Sequence, residues 1–158
     1  MKTNITITWE ELRQQIDLRN FYMGESAKRN DLNADTMQSC KDDDKLMLII
    51  TQKACNELIT AVAVRFPEIT SQADTTSVTF GIETETAPAT HLVAMLKQGI
   101  KDYLANEIGM HWLLTVRPDM AQTNISLRNS LYNNVQMTFA KIYNKQRIRR
   151  RPTDLAGI

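Results

Sequence analysis

The chain has 158 residues, of which 42% are hydrophobic and 23% charged, a balance that fits one globular domain and excludes fibrous or disordered classes. Its 19 Lys+Arg against 18 Asp+Glu nearly cancel, and two cysteines are too few for a disulfide framework. Five Gly and four Pro are few for this length, which favours long helices over a turn-rich β architecture.

The N-terminus, Met1 to Trp9, has no apolar core of the kind a signal peptide needs. No run of apolar residues approaches the roughly 20 that span a bilayer, so a soluble protein made in the cytoplasm is expected, with no membrane partner. Ile5-Thr6-Ile7-Thr8 alternates with period two and predicts a short edge strand or an extended arm over 1–8. Thr8-Trp9-Glu10-Glu11 reads as a capping box, and Leu12 and Ile16 continue at helical spacing, predicting a helix from Trp9 to about Tyr22. Residues 24–38 are polar and aperiodic and read as a loop.

Asp42-Asp43-Asp44 precedes an apolar register through Leu46, Ile50, Ala54, Leu58 and Val62. Carboxylates at a helix start favour the positive end of its dipole, so a second helix is expected from about Asp43 to Arg65, stopped by Pro67. The glycine and glutamate that a calcium loop requires are not at the right offsets from these aspartates. Cys55, inside the apolar register, is expected as a buried free thiol.

Thr75 to Thr86 is the clear β stretch, with Val78, Phe80 and Ile82 on one face and Gly81 as a candidate bulge or bend. It must pair with residues 3–8, with part of the 68–90 loop, or with another copy of the protein. Pro88 is placed in the first turn of a third helix whose stripe is Leu92, Leu96, Ile100, Tyr103, Leu104 and Ile108. Pro118 opens a fourth, with Leu127, Leu131, Val135, Phe139 and Ile142 recurring every three to four residues. Unbroken to Ile148 it would span about 46 Å, long enough to project from the body. The expected fold class is therefore mainly α: a bundle of about four helices over 1–148 with a short β element around 75–86, and a basic C-terminal tail over 149–158.

His91 and His111 are 20 residues apart, without metal-ligand spacing, and the glycines form no phosphate loop. Glu83 and Glu85 alternate with threonines as a solvent face does. No metal, cofactor or catalytic constellation is expected, and the chain does not read as an enzyme.

Charge is unevenly placed. Met120 to Arg151 holds seven basic residues and no acid, whereas residues 1–119 carry a net charge of −5. The concentrated part is Lys141, Lys145, Arg147, Arg149, Arg150 and Arg151. These cations could simply solvate a helix end, contact nucleic-acid phosphates, or dock on an acidic surface of another protein or copy. No aromatic is interleaved for base stacking, and no groove-reading motif accompanies them. A docking arm fits best, with DNA proximity second. A small nucleic-acid-associated accessory protein remains the alternative functional reading.

The order of elements resembles the head–tail connector (adaptor or head-completion) proteins of tailed bacteriophages. The residues that carry the likeness are Asp42-Asp43-Asp44 leading into Leu46 to Ile59, then a β-containing loop, then Ala94-Met95-Leu96-Lys97-Gln98-Gly99-Ile100. It covers about residues 40–115. Gly99 stands where the family has alanine, and the fourth helix is longer than usual. The resemblance implies a structural protein of the virion neck, assembled in the host cytoplasm as a ring of about twelve copies. Such a ring lies beneath the portal protein, extends the DNA channel with possible non-specific contact to the DNA, and docks tail or tail-completion proteins. Val78, Phe80 and Ile82 are then expected to pair β strands between neighbouring subunits.

Overall fold

The computed structural model of the chain describes residues 1–18, 44–64, 69–116 and 118–144. Among them the protein is mainly helical with a small antiparallel sheet. The order is β1 (Lys2–Thr8), α1 across 9–18, α2 (Asp44–Ala63), β2 (Ile69–Ala73), β3 (Ser77–Glu83), α3 (Thr90–Val116), a 3-10 turn (Pro118–Met120) and α4 (Gln122–Asn144).

β1 alternates as its sequence does: Ile5 and Ile7 are buried while Asn4, Thr6 and Thr8 are exposed. The capping box then turns strand into helix. The Thr8 amide donates to Glu11 Oε2 at 2.9 Å, and the Glu11 amide donates to the Thr8 hydroxyl at 3.2 Å. The backbone bond from Thr8 and the Lys97 ammonium 3.0 Å away hold the Glu11 carboxyl below its ordinary pKa. Leu12 and Ile16 face the core, and Gln15 donates to Asp102 of α3 at 2.8 Å. The remainder of the expected first helix, the polar loop, Cys40, Asp42 and Asp43 lie outside the described residues, as does Pro67.

α2 buries Met47, Ile50, Ala54, Cys55, Leu58 and Val62 against α3 and β2. Cys55 is the buried thiol expected, its pKa pushed up to about 12 by desolvation. One expectation needs correcting: residues Lys45–Ala63 are long and apolar enough to cross a membrane, with a mean hydropathy of 1.3. Lys53 and Glu57 interrupt the apolar run to the eye but not its average. Within the fold this helix turns its apolar stripe to α3 and β2.

The sheet has the order β1-β3-β2. Asp74 shapes the hairpin: its carboxylate accepts the amides of Thr76 (2.7 Å) and Ser77 (2.8 Å) and the Thr76 hydroxyl (2.7 Å). The same bonds lower its pKa, that of the Thr76 side chain most. Gly81 is no bulge, because the register runs unbroken past it on both sides. A Cβ there would sit 2.6 Å from Thr70 Oγ1, so any larger residue would make the exposed Thr70 side chain turn away.

α3 starts at Thr90, after Pro88, because the Ala89 carbonyl accepts the first amides, those of Leu92 and Val93. It is the central helix, buried without a break from Tyr103 to Met110, and it touches β1, α2 and α4. α4 likewise begins later than expected. Pro118 opens a 3-10 turn, and the described α-helix has 23 residues, about 34 Å. Its described part lies along α3 as far as the buried Ile142, and the expected continuation to Ile148 lies outside the described residues. Val135 and Phe139 are also buried, whereas Leu127 is exposed.

Candidate functional site

The basic segment divides at the end of α4. Lys141 stands exposed in the last helical turn, where a cation suits the negative end of the dipole. Lys145, Arg147, Arg149, Arg150 and Arg151 lie outside the described residues.

Val78, Phe80 and Ile82 do not serve inter-subunit pairing. Each is fully buried, and β3 is the middle strand with both edges occupied. The Thr84 amide donates to the Met1 carbonyl and the Trp9 amide to the Thr76 carbonyl, so even-numbered residues of β3 turn their main chain to β1. The Asp74 amide donates to the Ser77 carbonyl, so odd-numbered residues turn theirs to β2. Of the three pairing options open at the sequence level, the first two are used together. Strand β2 (Ile-Thr-Ser-Gln-Ala) was not legible, having one large apolar residue and no alternation.

The charged cluster that the sequence reading passed over lies where three helices meet. Arg128 of α4 places Nε 2.8 Å from Glu107 Oε1 of α3 and Nη2 3.2 Å from Glu57 Oε2 of α2. Glu107 is 1% exposed, and its contact with Nε is an ion pair that falls short of an aligned hydrogen bond. Burial raises the Glu107 pKa, Arg128 opposes that rise, and Glu57 adds to it. Burial, reinforced by Glu107, pushes Tyr103 up to about 12, and its ring meets Tyr132 at a centroid distance of 6.2 Å. His111 is depressed by burial and then by the charges of Lys53 and Arg128. The signal available in the sequence was Tyr103, Glu107 and His111 at i, i+4, i+8, one helix face carrying an acid inside an apolar stripe.

A second polar contact sits close by. Asn106 donates to the Asn124 carbonyl at 3.0 Å, and Asn124 reaches back to the Asn106 carbonyl at 3.5 Å. Both are buried. Chemically these groups tie helices together: the Glu107 carboxylate is enclosed and faces a guanidinium, with no space for a substrate atom between them. Among the described residues no group of three or more His, Cys, Asp or Glu converges to hold a metal ion. Glu83 and Glu85 are exposed, as a solvent face requires.

Two surfaces remain. An apolar cavity of about 410 Å3 opens between α1 and the start of α2, walled by Trp9, Leu12, Ile16, Met47, Leu48 and Ile108. The outer faces of α2 and α4 differ sharply. On α2, Ile49 (63% exposed), and just past its end Val64 (84%), flank Lys53 and Glu57. On α4, the exposed residues from Gln122 to Met137 are Asn, Ser, Thr, Gln, Ile, Leu and Met, and the one charge in that stretch, Arg128, is part-exposed and paired with Glu57 and Glu107. No family model, curated protein or solved structure matches this chain.

Proposed function

We propose that this chain is a structural virion protein, a head–tail connector that assembles as a ring beneath the portal protein, continues the DNA channel and docks the tail. The observation that carries the reading is the pair of unlike helix surfaces on one body, mostly uncharged on α4, where the one cation Arg128 is paired, and mixed apolar and charged on α2. A closed ring is built from heterologous contacts, in which each subunit presents two different faces. Exposed helix residues on a solvated surface are commonly charged, whereas depletion of charge marks the middle of an interface. The resemblance over residues 40–115 supplies the kind of ring. Lys141, Lys145, Arg147, Arg149, Arg150 and Arg151 form the arm that docks on an acidic partner surface, near the DNA.

Cryo-microscopy of particles containing the chain tests this directly, with ring density expected at the neck. Replacing Arg147, Arg149, Arg150 and Arg151 by Ser should leave thermal stability nearly unchanged while the ring fails to join the portal. A chain that never associates with a portal but binds duplex DNA, with affinity falling steeply as salt rises, would overturn the proposal in favour of the nucleic-acid accessory reading.

A further inference from the structure

The ladder that fills both edges of β3 leaves the outer edge of β1 without a partner among the described residues. Its hydrogen-bond phase follows from two bonds at its ends: Met1 and Trp9 direct their main chain to β3, so Thr3, Ile5 and Ile7 do the same. Lys2, Asn4 and Thr6 therefore turn their amides and carbonyls outward, away from the sheet. Thr8 is different, because its amide is taken by Glu11. Three consecutive outward pairs of donors and acceptors remain in a strand held straight by seven pairings with β3.

Natural edge strands usually carry a device against pairing: a proline, a bulge, an inward charge or a very short length. β1 has none of these. Its register is continuous, its inward residues Ile5 and Ile7 are apolar and buried, and its one charge, Lys2, stands at the very end. Its outward side chains Asn4 and Thr6 are exposed and small, and would not obstruct a strand laid alongside.

We propose that this edge is a self-association site, occupied by β1 of a second copy in antiparallel, two-fold pairing that joins two three-stranded sheets into one of six. Three features single out a copy of this chain. First, a second β1 is already extended, whereas a flexible peptide would lose about 1–2 kcal/mol of backbone entropy for each residue it orders. Second, antiparallel pairing sets an even residue opposite an even one, so polar Asn4 and Thr6 of both copies share one face. The buried Ile5 and Ile7 then continue a single layer on the other. Third, it sends the two Lys2 side chains to opposite ends, where a parallel arrangement would align them. A two-fold contact closes at two copies, so this site is independent of the heterologous faces that a ring requires. One added strand is a small interface, and the pair should dissociate on dilution.

The experiment is sedimentation of the full chain over a roughly hundredfold concentration range, with amide hydrogen exchange at both ends of that range. A reversible monomer–dimer equilibrium is expected. Asn4 and Thr6 amides should be protected only in the dimer, and those of Thr3, Ile5 and Ile7 at every concentration. Thr6→Pro removes one outward amide, the exposed 3.1 Å hydroxyl contact to Thr79 and no main-chain bond to β3, so it should shift the chain to monomer with at most a small fall in melting temperature. If proline disturbs folding, Asn4→Lys provides the same readout by placing like charges beside the two-fold axis. A chain that stays monomeric at the highest concentration, with Asn4 and Thr6 exchanging freely, overturns the proposal. So does a dimer that survives both substitutions. Neither result bears on ring density at a portal, so failure of this site and failure of the connector reading are separable.

Discussion

Along α4, the first half and the second half reach the rest of the molecule by different chemistry. Residues 122–131 are anchored by Asn124, paired with Asn106, and by Arg128, paired with Glu107 and Glu57. Residues 132–144 are anchored mainly by Val135, Phe139 and Ile142, all buried. Apolar contacts are graded and tolerant of small shifts, and their loss costs in proportion to the cavity left. Polar contacts below the surface behave otherwise: removing one partner strands the other in a medium that cannot solvate it. The second half of the helix therefore supplies most of the adhesion. The first half sets which residues of α2, α3 and α4 stand opposite one another.

Phe139→Ala should be the most damaging single change, with a loss of about 3–5 kcal/mol in denaturant unfolding. A loss below 1 kcal/mol would mean that α4 is not held by its apolar half. Arg128→Met should cost about 2–3 kcal/mol at neutral pH. That is less than for a fully enclosed pair, because Arg128 is 42% exposed while Glu107 is 1% exposed.

The pH dependence of that variant separates the two halves further. The Glu107 pKa is raised in the folded state, so the native protein binds more protons than the unfolded chain just above the ordinary value of 4.5. Stability therefore falls as pH rises through that window, and is recovered as pH falls below it. Without Arg128 the raised pKa rises further and the loss deepens. Thermal melts of Arg128→Met should accordingly improve between pH 7 and pH 4, and adding Glu107→Gln should abolish that slope. A flat profile would show that solvent, not Arg128, carries the Glu107 charge. Phe139→Ala should show no such added slope.

Asn124→Ala should cost about 1 kcal/mol, since it removes the Asn124 Nδ2 donor to the Asn106 main-chain carbonyl while the bond from the Asn106 amide to the main chain at 124 is kept. The smallest effect has the opposite sign. A Cβ on Gly99 would meet Val135 Cγ2 at 3.5 Å, an ordinary contact, so Gly99→Ala should stabilise the helix by roughly 0.5–1 kcal/mol. On Gly109 it would crowd Asn124 Nδ2 at 3.2 Å, so Gly109→Ala should gain less than Gly99→Ala or lose stability. Comparing the two glycines by melting temperature thus tests the same contrast at two positions of one helix.

What could be read along the chain was local. The spacing of Leu92, Leu96, Ile100, Leu104 and Ile108 specified a helix and its buried side, the Thr8–Glu11 box specified where α1 begins, and Cys55 was correctly placed inside. Each depends on residues within a few positions of one another, where helical periodicity and capping chemistry act directly. The partners of Val78, Phe80 and Ile82 depend on β1, more than 70 residues earlier, and on a strand too weakly patterned to announce itself. Arg128 looked like one more cation of a basic stretch until α2 and α3 brought Glu57 and Glu107 beside it. Sequence alone therefore determined the helical class, most of the helix faces (Leu46 and Leu127 of the expected stripes are exposed) and the division of charge between body and tail. Only the tertiary structure decided that β3 is enclosed, that β1 is an edge strand among the described residues, and that a buried carboxylate joins three helices. Contacts between distant residues arise from chain closure and packing, and no local spacing encodes them.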